Sequence, residues 1–200
     1  MLNLKYKKVI KILKNYGVGV MPTDTLYGLV GSAFSRKAIN RIYKVKDRDK
    51  KKPFIVLISS LKDLEKFGIS KHSLLSQKMF TLLQKAWPGK ESIILSCKKN
   101  SIKKLKYLHR GENSIAFRFP KNKKLIEILK KTGPLVAPSA NPEGLKPAEN
   151  IKEAKAYFGD QVDFYLPGGT LKSEPSALIK IDDKGEIKVL RGTIKYNYGK

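Results

Sequence analysis

The stretch Gly17-Val18-Gly19-Val20-Met21-Pro22-Thr23-Asp24-Thr25-Leu26-Tyr27-Gly28-Leu29 sets the reading of the whole chain. Its first part, 17–22, is a short apolar run stopped by proline, the pattern of a buried strand. Residues 23–29 are dense in hydroxyls and carry one carboxylate and a glycine. At the carboxyl end of a strand, Thr23, Asp24 and Thr25 can bind a polar ligand where open α/β sheets usually hold theirs. They can equally cap the next element or close a turn through local side-chain-to-backbone bonds. Spacing alone leaves the two readings level.

Working outward, residues 4–15 place Val9, Ile10, Ile12 and Leu13 among lysines, an amphipathic helix. A second helix runs from Ser35, its cap, through Ile39, Ile42 and Tyr43. Strands are predicted at 53–59, 92–97, 114–119, 135–137 and 163–166, and helices at 61–67, 74–86, 122–131 and 149–158. Residues 177–181 and 187–190 form a closing hairpin around Asp182-Asp183-Lys184-Gly185. Helices and strands alternate without repeat or low-complexity tract, which predicts an α/β sheet with helices packed on it. No linker divides the chain, so 1–200 reads as one domain.

The chain has 200 residues and a formal net charge of +25, from 42 Lys plus Arg against 17 Asp plus Glu. At 41% hydrophobic it can bury a proper core, so the charge does not argue for disorder. No run approaches the ~18 apolar residues of a spanning helix, and the first residues lack a signal-peptide core; the expectation is a cytoplasmic protein with no membrane partner. One cysteine, Cys97, and two histidines, His72 and His109, exclude a disulfide scaffold and Cys- or multi-His metal sites. A charge of +25 suggests a nucleic-acid partner, but only six of the 42 cations are Arg and the other 36 are Lys, dispersed over nearly every segment. No basic run is interleaved with aromatics as a stacking platform would be. The rare arginines, whose planar fork suits phosphate and carboxylate, are the informative ones.

Two further segments carry chemistry. In 44–53, Lys46 and Arg48 alternate in what reads as an extended segment, aiming both cations one way to clamp a polyphosphate; the plain alternative is a solvated charge run. In Pro138-Ser139-Ala140-Asn141-Pro142-Glu143-Gly144, alternation puts Ser139 and Asn141 on one side between two prolines, against the alternative of an Asn-Pro turn. Arg118 stands inside an apolar strand, where a charge needs a partner or a ligand. Arg191 closes the last strand, and Ser176 follows Pro175. Trp87-Pro88-Gly89 reads as a helix stop with a packed indole, Cys97 as core, and both histidines as surface residues. There is neither a dinucleotide fingerprint nor a glycine-rich loop ending in Gly-Lys-Ser/Thr, so a bound nucleotide would have its phosphates held by side chains.

Seven segments in order carry a resemblance: 22–29, Lys46-Asp47-Arg48 before Lys52-Pro53, Trp87-Pro88-Gly89, Arg118-Phe119-Pro120, Ala137-Pro138-Ser139-Ala140-Asn141, Pro175-Ser176 and Leu190-Arg191-Gly192. Together they resemble the YrdC/Sua5 family, the L-threonylcarbamoyladenylate synthases of tRNA modification, in its short form. The resemblance implies a twisted mixed α/β sheet with flanking helices around a positively charged concave groove. It implies conversion of ATP, L-threonine and bicarbonate to threonylcarbamoyl-AMP and pyrophosphate, with Mg²⁺ on the phosphates and no metal ligands from the protein. By matching position, Lys46 and Arg48 would be catalytic and would bind ATP with Ser139, Asn141 and Arg191, while Thr23, Arg118 and Ser176 would face threonine. Implied partners are tRNA, through its adenosine 37, and the downstream threonylcarbamoyl transferase complex. The other classes the resemblance admits are an RNA-binding relative without synthase activity and a carbamoyl-transfer module of larger maturation proteins. The chain departs from the family pattern at Lys90-Glu91-Ser92, where Pro-Leu-Thr is common, and at Asp49, Leu57 and Ala148.

Overall fold

A computed structural model describes residues 3–69, 77–181 and 186–194. Its centre is a nine-stranded mixed sheet in the order β7-β1-β2-β6-β3-β5-β4-β8-β9. The strands are β1 (Gly19–Pro22), β2 (Tyr27–Ser32), β3 (Val56–Leu57), β4 (Glu91–Ser96), β5 (Ser114–Arg118), β6 (Leu135–Val136), β7 (Phe164–Tyr165), β8 (Ala177–Ile181) and β9 (Ile187–Arg191). Parallel pairs (β1 with β7, β3 with β5, β4 with β8) are interleaved with antiparallel ones. The helices are α1 (Leu4–Lys14), α2 (Arg36–Lys46), α3 (Gln77–Ala86), α4 (Lys99–His109), α5 (Lys123–Thr132) and α6 (Ile151–Phe158).

Helix starts follow capping chemistry. Ser35 Oγ accepts from Ala38 N at 3.1 Å, Asn122 Oδ1 from Leu125 N at 3.0 Å and Asn150 Oδ1 from Glu153 N at 3.0 Å, each satisfying a donor the helix itself cannot. The sheet is covered differently on its two faces. One large cluster buries Ile39, Ile42, Leu83, Leu105, Phe117 and Phe158 against one face. A smaller cluster packs Val9 and Leu13 of α1 with Ile128 and Leu129 of α5 against Val30, Leu57 and Leu135 of the other face. Ile55 and Ala137 border that smaller cluster and also line a cavity, so the cavity occupies the same face, beside the helix pair.

Most predicted elements are present with shifted ends, and three differ in kind. Residues 27–29, read as the end of a turn or ligand segment, open strand β2; β1 and β2 form a hairpin whose turn closes with Thr23 N donating to Leu26 O at 3.0 Å. Helix α4 had no counterpart in the sequence reading, although Ile102, Leu105 and Leu108 recur at helical spacing among its lysines. Segment Leu61–Phe67 is a 3₁₀ helix, with Asp63 accepting from Ser59 N and Oγ at 2.8 and 2.7 Å. The predicted helix start at 74–76, the hairpin turn 182–185 and His72 lie outside the described residues.

Candidate active site

The cavity has a volume of about 430 Å³, and its walls come from loops at strand ends. The β1–β2 turn supplies Thr23 and Thr25. Thr23 Oγ1 donates to Leu26 O at 2.7 Å and accepts from Thr25 N and Leu26 N at 3.2 and 3.3 Å. The turn reading of this stretch holds, and Thr23 and Thr25 also line the cavity. Gly28 permits the close fit, since a Cβ there would stand 3.2 Å from Thr23 Cγ2, and the Ser139 loop bridges to the same residue.

Arg118 ends β5 with 4% of its surface exposed and lines the cavity. Its Nη1 donates to Thr25 Oγ1 at 3.1 Å and its Nη2 to Thr23 Oγ1 at 3.5 Å. Asp24 Oδ1 lies 2.9 Å from Nη2 as an ion pair without hydrogen-bond alignment, and Arg118 Nε has no hydrogen-bond partner. Burial lowers the Arg118 pKa from its ordinary range, Asp24 opposes that, and Arg191 adds to it. Sequence reasoning expected a partner or a ligand for Arg118 in its strand and read Asp24 as a cap or ligand group, but it did not pair the two; the signal was a carboxylate in the same hydroxyl-rich turn.

The basic segment differs from the sequence reading. Lys46 is the last residue of α2, and Asp47 caps the helix in the left-handed region (φ 50, ψ 48), so Lys46 and Arg48 are not an extended pair aimed one way. Arg48 lines the cavity, and its guanidinium lies 5.5 Å from the centre of the Phe54 ring. Lys46 is 2% exposed and is not among the lining residues. Its Nζ donates to Ser139 O at 2.8 Å, Asn141 O at 2.6 Å and Asn141 Oδ1 at 3.0 Å. An ammonium has three donors, and all three are committed. Burial lowers its pKa to about 8, with Arg48 adding and Glu143 opposing.

Lys46 thereby ties the basic loop to the Ser139 loop, and Glu143 ties them a second time. Glu143 N donates to Lys46 O at 2.9 Å, and its carboxylate accepts from Asp49 N at 2.9 Å and Lys52 Nζ at 2.5 Å. The Lys52 bond, then the Asp49 bond, holds the Glu143 carboxyl below its usual range. Ser139 lines the cavity, but Asn141 does not share its side. The Asn141 amide donates to Pro142 O at 2.9 Å and Leu145 O at 2.6 Å, making it the brace of its own loop.

The remaining wall holds Ser176 and Arg191. Arg191 donates from Nε and Nη2 to Ser176 O at 3.2 and 3.0 Å. Ser176 Oγ and Ser92 Oγ are 2.9 Å apart, so the departing Lys90-Glu91-Ser92 segment still supplies a hydroxyl here. Burial lowers the Arg191 pKa, and Arg48 lowers it further. Three guanidiniums thus converge on one cavity with a single carboxylate, Asp24, paired to them, an arrangement that favours an anionic ligand.

Away from the cavity, Trp87 is packed as expected, its Nε1 donating to Glu91 O at 2.8 Å. Cys97 is buried, which pushes its thiol up to about 11. His109 is buried rather than on the surface, because its ring nitrogens are used by the backbone around it. Among the described residues, no group of three or more His, Cys, Asp or Glu could hold a metal ion, and no helix is long and apolar enough to cross a membrane.

Known proteins resemble the chain in sequence and in fold. The chain is 31% identical over 147 residues to threonylcarbamoyl-AMP synthase of Bacillus subtilis, covering 73% of this chain and 40% of that one. It is 29% identical over 163 residues to threonylcarbamoyl-AMP synthase of Hahella chejuensis, covering 81% and 85%. In fold it matches P. abyssi Sua5 complexed with L-threonine, with a TM-score of 0.82, 22% identity, and coverage of 94% of this chain and 53% of that one. The chain thus spans about half, or less, of the longer relatives it matches. A family model, Sua5/YciO/YrdC, described as "Telomere recombination", matches residues 11–193, a range that holds every residue lining the cavity. Fold and site fall within one match, and the chain belongs to the Sua5/YciO/YrdC family.

Proposed function

We propose that the cavity makes threonylcarbamoyl-AMP from ATP, L-threonine and bicarbonate, releasing pyrophosphate. One observation carries the reading: six of the eight residues expected from sequence, Thr23, Arg48, Arg118, Ser139, Ser176 and Arg191, line this one cavity. The names of the Bacillus and Hahella relatives agree with it.

The ammonium group of threonine and bicarbonate condense to a carbamate, with loss of water and a proton. A carbamate oxygen then attacks the α-phosphorus of ATP; the bond to the bridging oxygen breaks, and pyrophosphate leaves with the electron pair. Such a transfer needs alignment and charge stabilisation more than a protein nucleophile. Arg48, Arg191 and Ser139 receive the triphosphate and spread its developing charge. Arg118 meets the threonine carboxylate, flanked by the Thr23 and Ser176 hydroxyls. Lys46 and Asn141 act through the loop they brace and are positioning residues. A Mg²⁺ ion held by the phosphates would neutralise part of their charge, with Arg48 and Arg191 beside it. The dispersed lysines outside the cavity are the surface a tRNA or a downstream transferase would meet.

Incubation with all three substrates, and with each omitted in turn, tests the reading. Pyrophosphate release requiring all three is expected, and Arg48→Ala should lower it at least ~10²-fold, the usual loss for a charge-stabilising donor. Tight RNA binding with no pyrophosphate release would replace this reading with an RNA-binding one.

A further inference from the structure

The cavity changes character along its length. Arg118 and Arg191 stand at one end; Leu178, paired with Arg191 across β8 and β9, is level with them. Further along the same face, Ile94 is paired with Ala116 on one side and Lys180 on the other, and all three line the cavity. Beyond that low, largely apolar row come Ser114 and Glu112. At the usual rise of a strand, Ser114 is ~13 Å from Arg118 along β5. Cations, a row of Ile94 and Ala116 edged by Lys180, and then acceptors is the order in which a nucleotide presents phosphate, base and exocyclic amine.

Glu112 is the one acidic side chain lining the cavity among the described residues. It sits in a turn of unusual backbone: Arg110, Gly111 and Asn113 have φ of 55, 108 and 52. Two of these are not glycine, and L-residues adopt such angles only when the surroundings hold them. Buried His109 does the holding. Its Nδ1 accepts from Gly111 N at 3.1 Å and Asn113 N at 3.3 Å, so Nε2 carries the proton and donates to Ile102 O at 2.8 Å. Glu112 N donates to His109 O at 2.9 Å. The carboxylate itself makes no ion pair or hydrogen bond among the described residues. The turn thus holds the Glu112 backbone at the cavity rim while its exposed side chain lines the wall, and a carboxylate at an anion-binding cavity weakens binding unless the ligand brings it a donor.

We propose that Glu112, with the Ser114 hydroxyl beside it, accepts a hydrogen bond from the exocyclic amino group of the nucleobase and so selects adenine. A carboxylate only accepts; the 6-amino group of adenine donates to it, the 6-oxo group of hypoxanthine opposes it, and unsubstituted purine offers nothing. The inference rests on the nucleotide reading of the cavity and names the end that reads the base.

The test is calorimetric binding of ATP, inosine triphosphate and purine riboside triphosphate to wild type, Glu112→Ala and Glu112→Gln, with pyrophosphate release measured in parallel. Wild type should bind ATP about 10- to 100-fold tighter than either analogue, the range for a hydrogen bond to a charged group. Glu112→Ala should bring ATP down to the level of purine riboside triphosphate. The near-isosteric Glu112→Gln, whose amide also donates, should regain inosine triphosphate. An ATP preference that survives unchanged in Glu112→Ala, or none in wild type, overturns the proposal. Selective ATP binding lost in Glu112→Ala but without pyrophosphate release overturns the synthase reading and leaves this one standing; no nucleotide binding at all overturns both.

Discussion

Two buried cations flank the cavity, and they are held in opposite ways. Lys46 points its ammonium at three oxygens, none of them a carboxylate. Arg118 shares its guanidinium between two hydroxyls and the Asp24 carboxylate. Carbonyl dipoles satisfy the Lys46 donors without cancelling its charge, which is why burial can pull its pKa down to about 8. At Arg118 the counter-charge is built in. Lys46 is therefore an ammonium that no carboxylate contacts, set behind the Arg48 that lines the cavity, while Arg118 keeps a carboxylate in contact. On the proposed function, the first side would take the triphosphate and the second the amino acid.

Removing the counter-charge breaks the comparison most sharply. Asp24→Ala leaves Arg118 charged, buried and unpaired, and should lower unfolding free energy by about 3–4 kcal/mol in urea titration. Replacing both partners by apolar residues, Asp24→Leu with Arg118→Met, should recover most of that loss while threonine-dependent pyrophosphate release stays abolished. A single variant within about 1 kcal/mol of wild type would mean that water already screens the pair. Lys46→Met should cost less, about 2 kcal/mol, because what it strands are neutral acceptors. Its larger effect is on activity: with the Ser139 loop untied, pyrophosphate release should fall ~10²-fold, as for a lost charge-stabilising donor. Retention of wild-type turnover would show that Glu143 alone clasps the two loops.

The contrast also explains what could be read from the sequence. Arg118 was legible because a charge in an apolar strand is a local anomaly, and Ser139 because prolines flank it. Lys46 and Asn141 were picked out by position, but their direction was not readable. It depends on Asp47 taking a left-handed conformation, which turns a run that looks extended into a helix end. Helix α4 went unread because its apolar positions are diluted by lysine. The inward setting of His109 depends on amides two and four residues ahead, a contact no periodicity announces. Short strands β3 and β6, two residues each, exist only through pairing with neighbours distant in sequence. Local pattern carries the element order, and the long-range pairings decide which side chains meet.

The uncompensated lysine has a pH signature of its own. Below pH about 8 both folded and unfolded chains carry the Lys46 charge, and the folded state bears the burden of burying it. Between about 8 and the ordinary 10.5 the folded chain has released the proton and the unfolded chain has not. The unfolded state then binds more protons, so stability rises with pH across this window, by up to about 1.4 kcal/mol per pH unit. Urea midpoints of wild type and Lys46→Met, compared at the two ends of the window, should diverge in favour of wild type. Activity should move the other way, since a neutral amine has two N–H groups for three acceptors. Parallel pH profiles for the two proteins would sink the assignment.

The smallest effect tests how Arg48, half-buried at the cavity wall, is aimed. Arg48 lies over the Phe54 ring, Phe54 stacks on Tyr43 with centroids 4.1 Å apart, and Arg110 lies 4.4 Å from the Tyr43 ring on the far side. Tyr43 OH donates to Lys52 O at 2.9 Å, fixing the ladder to the loop that carries Arg48. Unlike Lys46, Arg48 is aimed by a ring face and by a long Nε bond to Lys52 O at 3.4 Å, which leave its terminal Nη groups for a ligand. Phe54→Leu removes that face and leaves the charge. A cation–π contact at a partly exposed site contributes ~0.5–1 kcal/mol, so KM for ATP should rise about 2- to 5-fold. KM for threonine should not move, because the Arg118 corner shares no residue with the ladder. Equal increases for both substrates would mean that Phe54 shapes the cavity as a whole rather than aiming Arg48.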